Sequence, residues 1–309
     1  MNRLKCALSV LPFLVALAQF QNMQIGTIDF YALSGLDPVQ LRASLSVRPG
    51  VKFEWPATRD RIIGELTKSA GRPVTQFSPV CCDTSGRLML YIGLGAEAKG
   101  EAFRPKPVSD RRLAPELMKL YGDCMEILPE ALKSAAGKPE DYSKGYSLSA
   151  YPPMRAIQLR IRDAAVENED AILTVLNEAA DDQHRIAAAH LAGYVRQSKR
   201  QIDALMDASR DPNSTVRNNA TRALGVLAAT PAFARQIPAA PFIDMLNSPI
   251  WSDRNKGLML LTSLTRERDP ELLARIRARA LDSLIEMAQW QNPGHAGGPI
   301  LILGRIAGM

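Results

Sequence analysis

The spacing of hydrophobic positions changes along the chain, and each spacing predicts a different kind of element. Between Gln24 and Leu33 polar and apolar residues alternate around Thr27, Ile28, Asp29 and Phe30, the period-two pattern of a half-buried strand. Asp37-Pro38 then combines an N-cap residue with a first-turn proline, and Leu41 and Leu45 sit at i, i+4 in the helix it starts. That helix stops at the turn Val47-Arg48-Pro49-Gly50. A second helix follows Trp55-Pro56 and carries Ile62, Ile63 and Leu66 on one face. Pro73 to Cys82 reads as a second strand and Asp83-Thr84-Ser85-Gly86 as a hairpin turn. Leu88, Leu90, Ile92 and Leu94 alternate as a third strand. The predicted order over 24–97 is strand, helix, helix, strand, strand, a small α/β domain.

Residues 98–153 read as a linker. Phe103 to Asp110 is rich in proline and basic residues, 113–136 is an amphipathic helix interrupted near Gly122 and Pro129, and Gly137 to Pro153 is a polar loop. The segment KGYSLSAYPP within that loop matches no pattern with a mechanism. From Met154 onward the period becomes helical. Helices are predicted near 154–166, 168–180, 184–196, 199–209, 213–228, 239–247, 252–265, 271–290 and 296–307. Val216, Ala220, Ala223, Leu224 and Leu227 form the stripe of a core-facing helix.

Within this half one pattern recurs. HRIAAAHLAGY, VRNNATRALGV and DRNKGLMLLTS align without gaps on Arg185, Arg217 and Arg254, which brings Gly193 onto Gly225 and Ala188 and Ala220 onto Gly257. A weaker copy, AGGPILILGRI, puts Ala296 at the arginine position and Gly304 at the glycine position. Self-similarity of this kind marks a solenoid. The predicted fold class is therefore mainly α: a C-terminal α-α superhelix over 154–309 behind the small α/β domain.

Composition adds location. Arg3 and Lys5 precede the apolar stretch Cys6–Leu17, and Ala16-Leu17-Ala18 fits a cleavage site, so 1–18 reads as a signal peptide. It is too short for a spanning helix, and the predicted location is periplasmic or secreted, with no stable membrane span once the signal is removed. The net charge of +6 is spread evenly and supplies no basic stripe of the kind nucleic acid requires. Cys81, Cys82 and Cys124 remain after the signal. Adjacent cysteines in a strand point to opposite faces, so the expectation is free thiols, one buried and one partly exposed. A bridge from Cys124 to one of the pair is the alternative, and redox sensing through Cys81 and Cys82 a further one. No CxxC or nearby histidine suggests a metal, and no cofactor is expected.

The phrase DPNSTVRNNATRALGVLA resembles the second helix of a HEAT repeat, as QIDALMDASR resembles the helix before it. The spacings of 32 residues to Arg217 and 37 to Arg254 depart from the usual unit of about 40–47. IGTIDFYALSGLDPVQLRASLSVRPGVKF, with the hairpin FSPVCCDTSGRLMLYIGLG, resembles a POTRA domain over about 70 residues. In that family the module binds polypeptide, often by adding a strand at its sheet edge. The whole chain resembles bacterial exported HEAT-repeat proteins.

The HEAT resemblance implies that each repeat arginine pairs with an aspartate of the preceding turn, here Asp182, Asp211 or Asp253, and that the second helices line a concave face. Arg185, Arg217, Asn218, Asn219, Arg254, Asn255 and Lys256 are then the candidate binding residues, able to hydrogen-bond a peptide backbone or a glycan. A second constellation gathers Trp251, Asp253, Trp290 and His295 at one end of the solenoid. It would serve an enzyme of lyase or hydrolase type, although no nucleophile elbow, metal trio or phosphate loop accompanies it. Two binding-type modules without catalytic machinery predict an exported, non-catalytic scaffold for protein partners.

Overall fold

The computed structural model describes residues 20–95, 103–135 and 138–309; the signal segment 1–18 lies outside them. The chain divides into two compact units, Met1–Ala96 and Glu97–Met309. It is mainly helical, with one small three-stranded sheet.

In the first unit the elements follow the predicted order: β1 (Ile25–Tyr31), α1 (Pro38–Ser44), α2 (Ala57–Ala70), β2 (Gln76–Val80) and β3 (Leu88–Gly93). β3 is central, parallel to β1 and antiparallel to β2. Its apolar run is buried along its whole length, as expected of a strand paired on both sides. Ile28, Phe30, Leu41, Leu45, Phe53, Ile62, Leu66 and Leu90 form the core. Asp37 caps α1 by accepting from the Val39 N–H at 2.8 Å.

The cysteine expectation is corrected here. Cys81 and Cys82 are bonded to each other, and Cys124 is free and buried. The strand argument failed because β2 ends at Val80, so the pair sits beyond the ladder whose pleat would have pointed the side chains apart.

The second unit begins with α3 (Pro115–Ser134), one continuous helix that passes through Gly122 and Pro129. α4 (Pro152–Glu167) packs on it. Four helical pairs follow: α5 (Glu169–Glu178) with α6 (Asp182–Leu191), and α7 (Lys199–Ala208) with α8 (Ser214–Leu227). After the short α9 (Pro231–Ala234) come α10 (Ala240–Met245) with α11 (Trp251–Leu264), and α12 (Pro270–Ala288) with α13 (Pro293–Ile306).

The starts of these helices are written locally. Asp181, Ser198, Asn213, Asp269 and Asn292 each accept a backbone N–H in the first turn of the helix they precede. The second helices α6, α8, α11 and α13 pack side by side in sequence. Small residues allow the approach: a Cβ on Gly257 would stand 2.8 Å from Met245 Cβ and 3.0 Å from the Phe242 carbonyl oxygen. Among the described residues no helix is long and apolar enough to cross a membrane.

The stretch read as a linker packs into this unit. Ser109 bridges Ala179 in parallel. Arg104 is 8% exposed and reaches Asp211 at 2.8 Å, the Leu176 carbonyl at 2.8 Å, and Asp207. Proline and basic content resembles a linker because these residues form no helix or strand; the partners that bury Arg104 lie more than seventy residues away.

Candidate functional site

The repeat arginines are built into the interior. Arg185, Arg217 and Arg254 are 0%, 2% and 2% exposed, which corrects their place among the binding candidates. Each reaches back to the loop before its own helix. Arg185 donates to the Ala179 and Ala180 carbonyls, Arg217 to those of Asp211 and Pro212, and Arg254 to that of Ser248. Each also reaches forward. Arg185 holds Asp211 through Nε at 2.9 Å and Nη2 at 3.1 Å. Arg217 holds Asp253 at 3.0 and 2.9 Å, and Arg254 holds Glu286 at 2.8 Å. Arg185 also meets Asp182 at 2.9 Å. The expected aspartates take part, but Asp211 and Asp253 serve the arginine of the preceding repeat. Each guanidinium thus stitches one helical pair to the next, and the Phe103 ring lies 4.2 Å from the Arg217 guanidinium carbon. Fork-shaped guanidinium donors suit this bidentate, desolvated pairing.

One or two positions beyond the arginines the surroundings change. Asn218, Asn219, Asn255 and Lys256 are half-buried. Asn218 donates to Asn219 at 3.1 Å, and Asn219 to the Ile186 carbonyl at 3.2 Å, crossing from α8 to α6. One turn further along α8, Arg222 donates to Glu140 at 2.6 Å and to Ser147 at 3.2 Å. Glu140 and Ser147 belong to the polar loop. Far from being loose, residues 138–149 lie against this face. Asp141 and Leu148 bridge each other, Tyr146 and Leu148 are buried, and Tyr194 donates to the Ser147 carbonyl at 3.0 Å. Arg162 stacks on Tyr146, 4.9 Å from its centroid. Ser147, His190, Tyr194, Asn219 and Arg222 line a cavity of about 20 Å³, room for about one water.

The electrostatics of this cluster follow from burial. It pushes Glu140 up, but Arg222, with hydrogen bonds from Tyr142 and Ser147, outweighs it and holds the carboxyl below its ordinary value. Burial lowers His190 to about 4; Arg222 adds to this and Glu140 opposes it. Burial and then Lys256 lower His295 to about 4. Lys256 itself is pushed down to about 8 by burial and then by Arg222, against the pull of Glu140. Near neutral pH the histidines are uncharged, Arg222 and Glu140 offset each other, and Lys256 is the remaining cation. Neither Lys256 nor Asn255 has a side-chain hydrogen bond or ion pair among the described residues.

The second constellation comes together in part. The rings of Trp251 and His295 meet edge-on with centroids 5.4 Å apart, and Trp290 is buried. Asp253 is committed elsewhere: besides Arg217 it accepts from the Ser248 hydroxyl at 2.9 Å. A carboxylate held by a guanidinium and a hydroxyl is a poor general base for His295. Cys124 stands 3.8 Å from His190 Nε2 and 3.6 Å from Met154 Sδ. Burial pushes its thiol up to about 11, with Arg222 opposing, so thiol and imidazole are both uncharged and no activated nucleophile forms. His184 Nδ1 accepts from the Leu113 N–H at 3.0 Å. Among the described residues no group of His, Cys, Asp and Glu is placed to hold a metal.

Sequence reasoning missed Arg222, Glu140 and Ser147. The alignment of His190 with Arg222 was a signal for the first, since it put two polar groups at one level of neighbouring helices. Nothing local marked Glu140. Comparison with protein-family models and with curated proteins gives no match for this chain.

Proposed function

We propose that the protein is an exported, non-catalytic scaffold. In this reading the helical pairs wind as a HEAT-like superhelix, and the face shared by α6, α8 and α11 is its concave, polypeptide-binding surface. The POTRA-like module, a three-stranded sheet with two edges, holds a second partner by strand addition. One observation carries this reading. The charged residues at the repeat position are spent on joining the pairs, while the positions beside Arg217 and Arg254 keep polar side chains at a half-buried surface, with Lys256 and Asn255 free of hydrogen bonds and ion pairs among the described residues. An ion-paired interior beside a polar face that residues 138–149 partly cover suits holding a chain more than transforming a small molecule. The rival enzyme reading loses support because Asp253 is bound to Arg217.

The test is crosslinked capture from the exported fraction, with the full chain as bait. The reading predicts a discrete partner whose crosslinks map to α8 and α11. Crosslinks confined to other surfaces, or turnover of a substrate abolished by His295→Gln in folded protein, would overturn it.

A further inference from the structure

We infer that Lys256, with Asn255 beside it in the chain, receives a carboxylate of the partner polypeptide, so that the ligand of this face is an acidic extended segment. The inference deepens the scaffold reading and takes its polypeptide partner from it.

The chain itself demonstrates how the face takes such a group. Residues 138–149 bring Glu140 onto Arg222, where the carboxylate is bound by a guanidinium, with the Ser147 hydroxyl beside it and the Tyr142 hydroxyl donating at 2.9 Å. Lys256 is on α11, the helix packed beside α8, close enough for its charge to act on both Glu140 and Arg222. Glu140 attracts the ammonium from a distance, but the internal segment supplies it no hydrogen bond or ion pair among the described residues, and it remains half-buried. A partly desolvated cation is unfavourable until it is paired. A ligand carboxylate would continue along the face from the point where Glu140 ends.

Charge decides the class. Arg222 and Glu140 cancel and the two histidines are neutral near pH 7, which leaves one positive charge. A carboxylate matches it, whereas a phosphate monoester brings close to two negative charges against one remaining cation and the neighbouring Glu140. The amide of Asn255, which makes no side-chain hydrogen bond among the described residues, suits the backbone of an extended chain.

The experiment measures binding of the full-length protein to a short blocked peptide alternating glutamate and glycine, beside its glutamine counterpart and with inorganic phosphate as competitor. The acidic peptide is expected to bind, and the glutamine peptide to bind at least about tenfold more weakly. Lys256→Gln should weaken the acidic peptide by about tenfold or more, and Lys256→Arg should restore most of it. Equal binding of both peptides, or unchanged affinity in Lys256→Gln, overturns the proposal. So does displacement by phosphate at concentrations equal to the peptide, which would mark a general anion site. Circular dichroism confirms that the variants fold, and Asn255→Ala gives a second variant, expected to weaken binding more modestly. The two readings can fail separately. A captured partner indifferent to Lys256→Gln keeps the scaffold and removes the carboxylate site. Peptide binding through Lys256 without any captured partner does the reverse.

Discussion

Arg217 and Arg222 are five residues apart on one helix, and both hold a carboxylate, yet they belong to different kinds of structure. Arg217 and Asp253 are sealed inside, two repeats joined by a fork of hydrogen bonds and further tied by backbone carbonyls. Arg222 and Glu140 lie at a half-buried surface, beside a water-sized cavity and an ammonium that makes no ion pair or hydrogen bond among the described residues. The same pair of functional groups joins two helical pairs in one place and anchors residues 138–149 in the other. The difference is completeness: each nitrogen of the Arg217 guanidinium has an acceptor, while Lys256 beside the outer pair makes no hydrogen bond among the described residues.

The largest effect should come from breaking the inner pair. Arg217→Ala leaves Asp253 buried with only the Ser248 hydroxyl, and the loss should be about 3–5 kcal/mol, read as a lower urea midpoint. Arg222→Ala, at the half-buried surface, should lose markedly less. Equal losses would erase the distinction.

Acid probes the outer cluster next. His190 and His295 have folded values near 4, below the ordinary 6.5, so protonation favours the unfolded chain. Their contribution is complete above pH 6.5 and is lost as pH falls from 6.5 towards 4, on the order of 2 kcal/mol per histidine at pH 5. Glu140, held low, adds a further loss below about 4.5. Urea titrations at pH 7.5 and 5 should show the fall, and His190→Gln should remove part of it. A stability flat across that window would mean the imidazoles are not held neutral.

A smaller effect sharpens the role of close helix approach. Gly257→Ala forces a methyl against Met245 Cβ and the Phe242 carbonyl, at a cost of about 1–3 kcal/mol. Gly297→Ala on α13 meets open space and should gain about 0.5–1 kcal/mol. The pair is read by thermal unfolding of the two variants side by side. Last, Lys256→Gln should not lower stability and should raise it modestly, because it removes a partly desolvated ammonium that has no hydrogen bond among the described residues.

What could be read in advance divides along the same line. The helices from α4 to α13, the short α9 excepted, show in the sequence because their signals are local: the stripe on α8 and the small residue at 257. α9 lies in a stretch that read as a loop. The arginine repeat shows as well, since it recurs at one position of each copy. Its forward pairing, Arg217 to Asp253 rather than to Asp211, does not, because that depends on how far one pair advances on the next. Glu140 and Arg104 were hidden for a related reason. Their partners are 82 and 107 residues away, and the segments carrying them have no periodicity to expose a buried side. Cys81 and Cys82 were misjudged by two residues of strand, enough to change which way they point.

The account stands on one separation, that the ladder holds the fold and its neighbours hold the ligand. The measurement that tests it most directly is a paired assay of Arg217→Ala and Lys256→Gln, with urea stability and partner crosslinking measured on the same preparations. The account predicts that Arg217→Ala loses several kcal/mol while Lys256→Gln keeps its stability and loses the partner. A Lys256→Gln protein that unfolds, or that crosslinks as the wild type does, would contradict it.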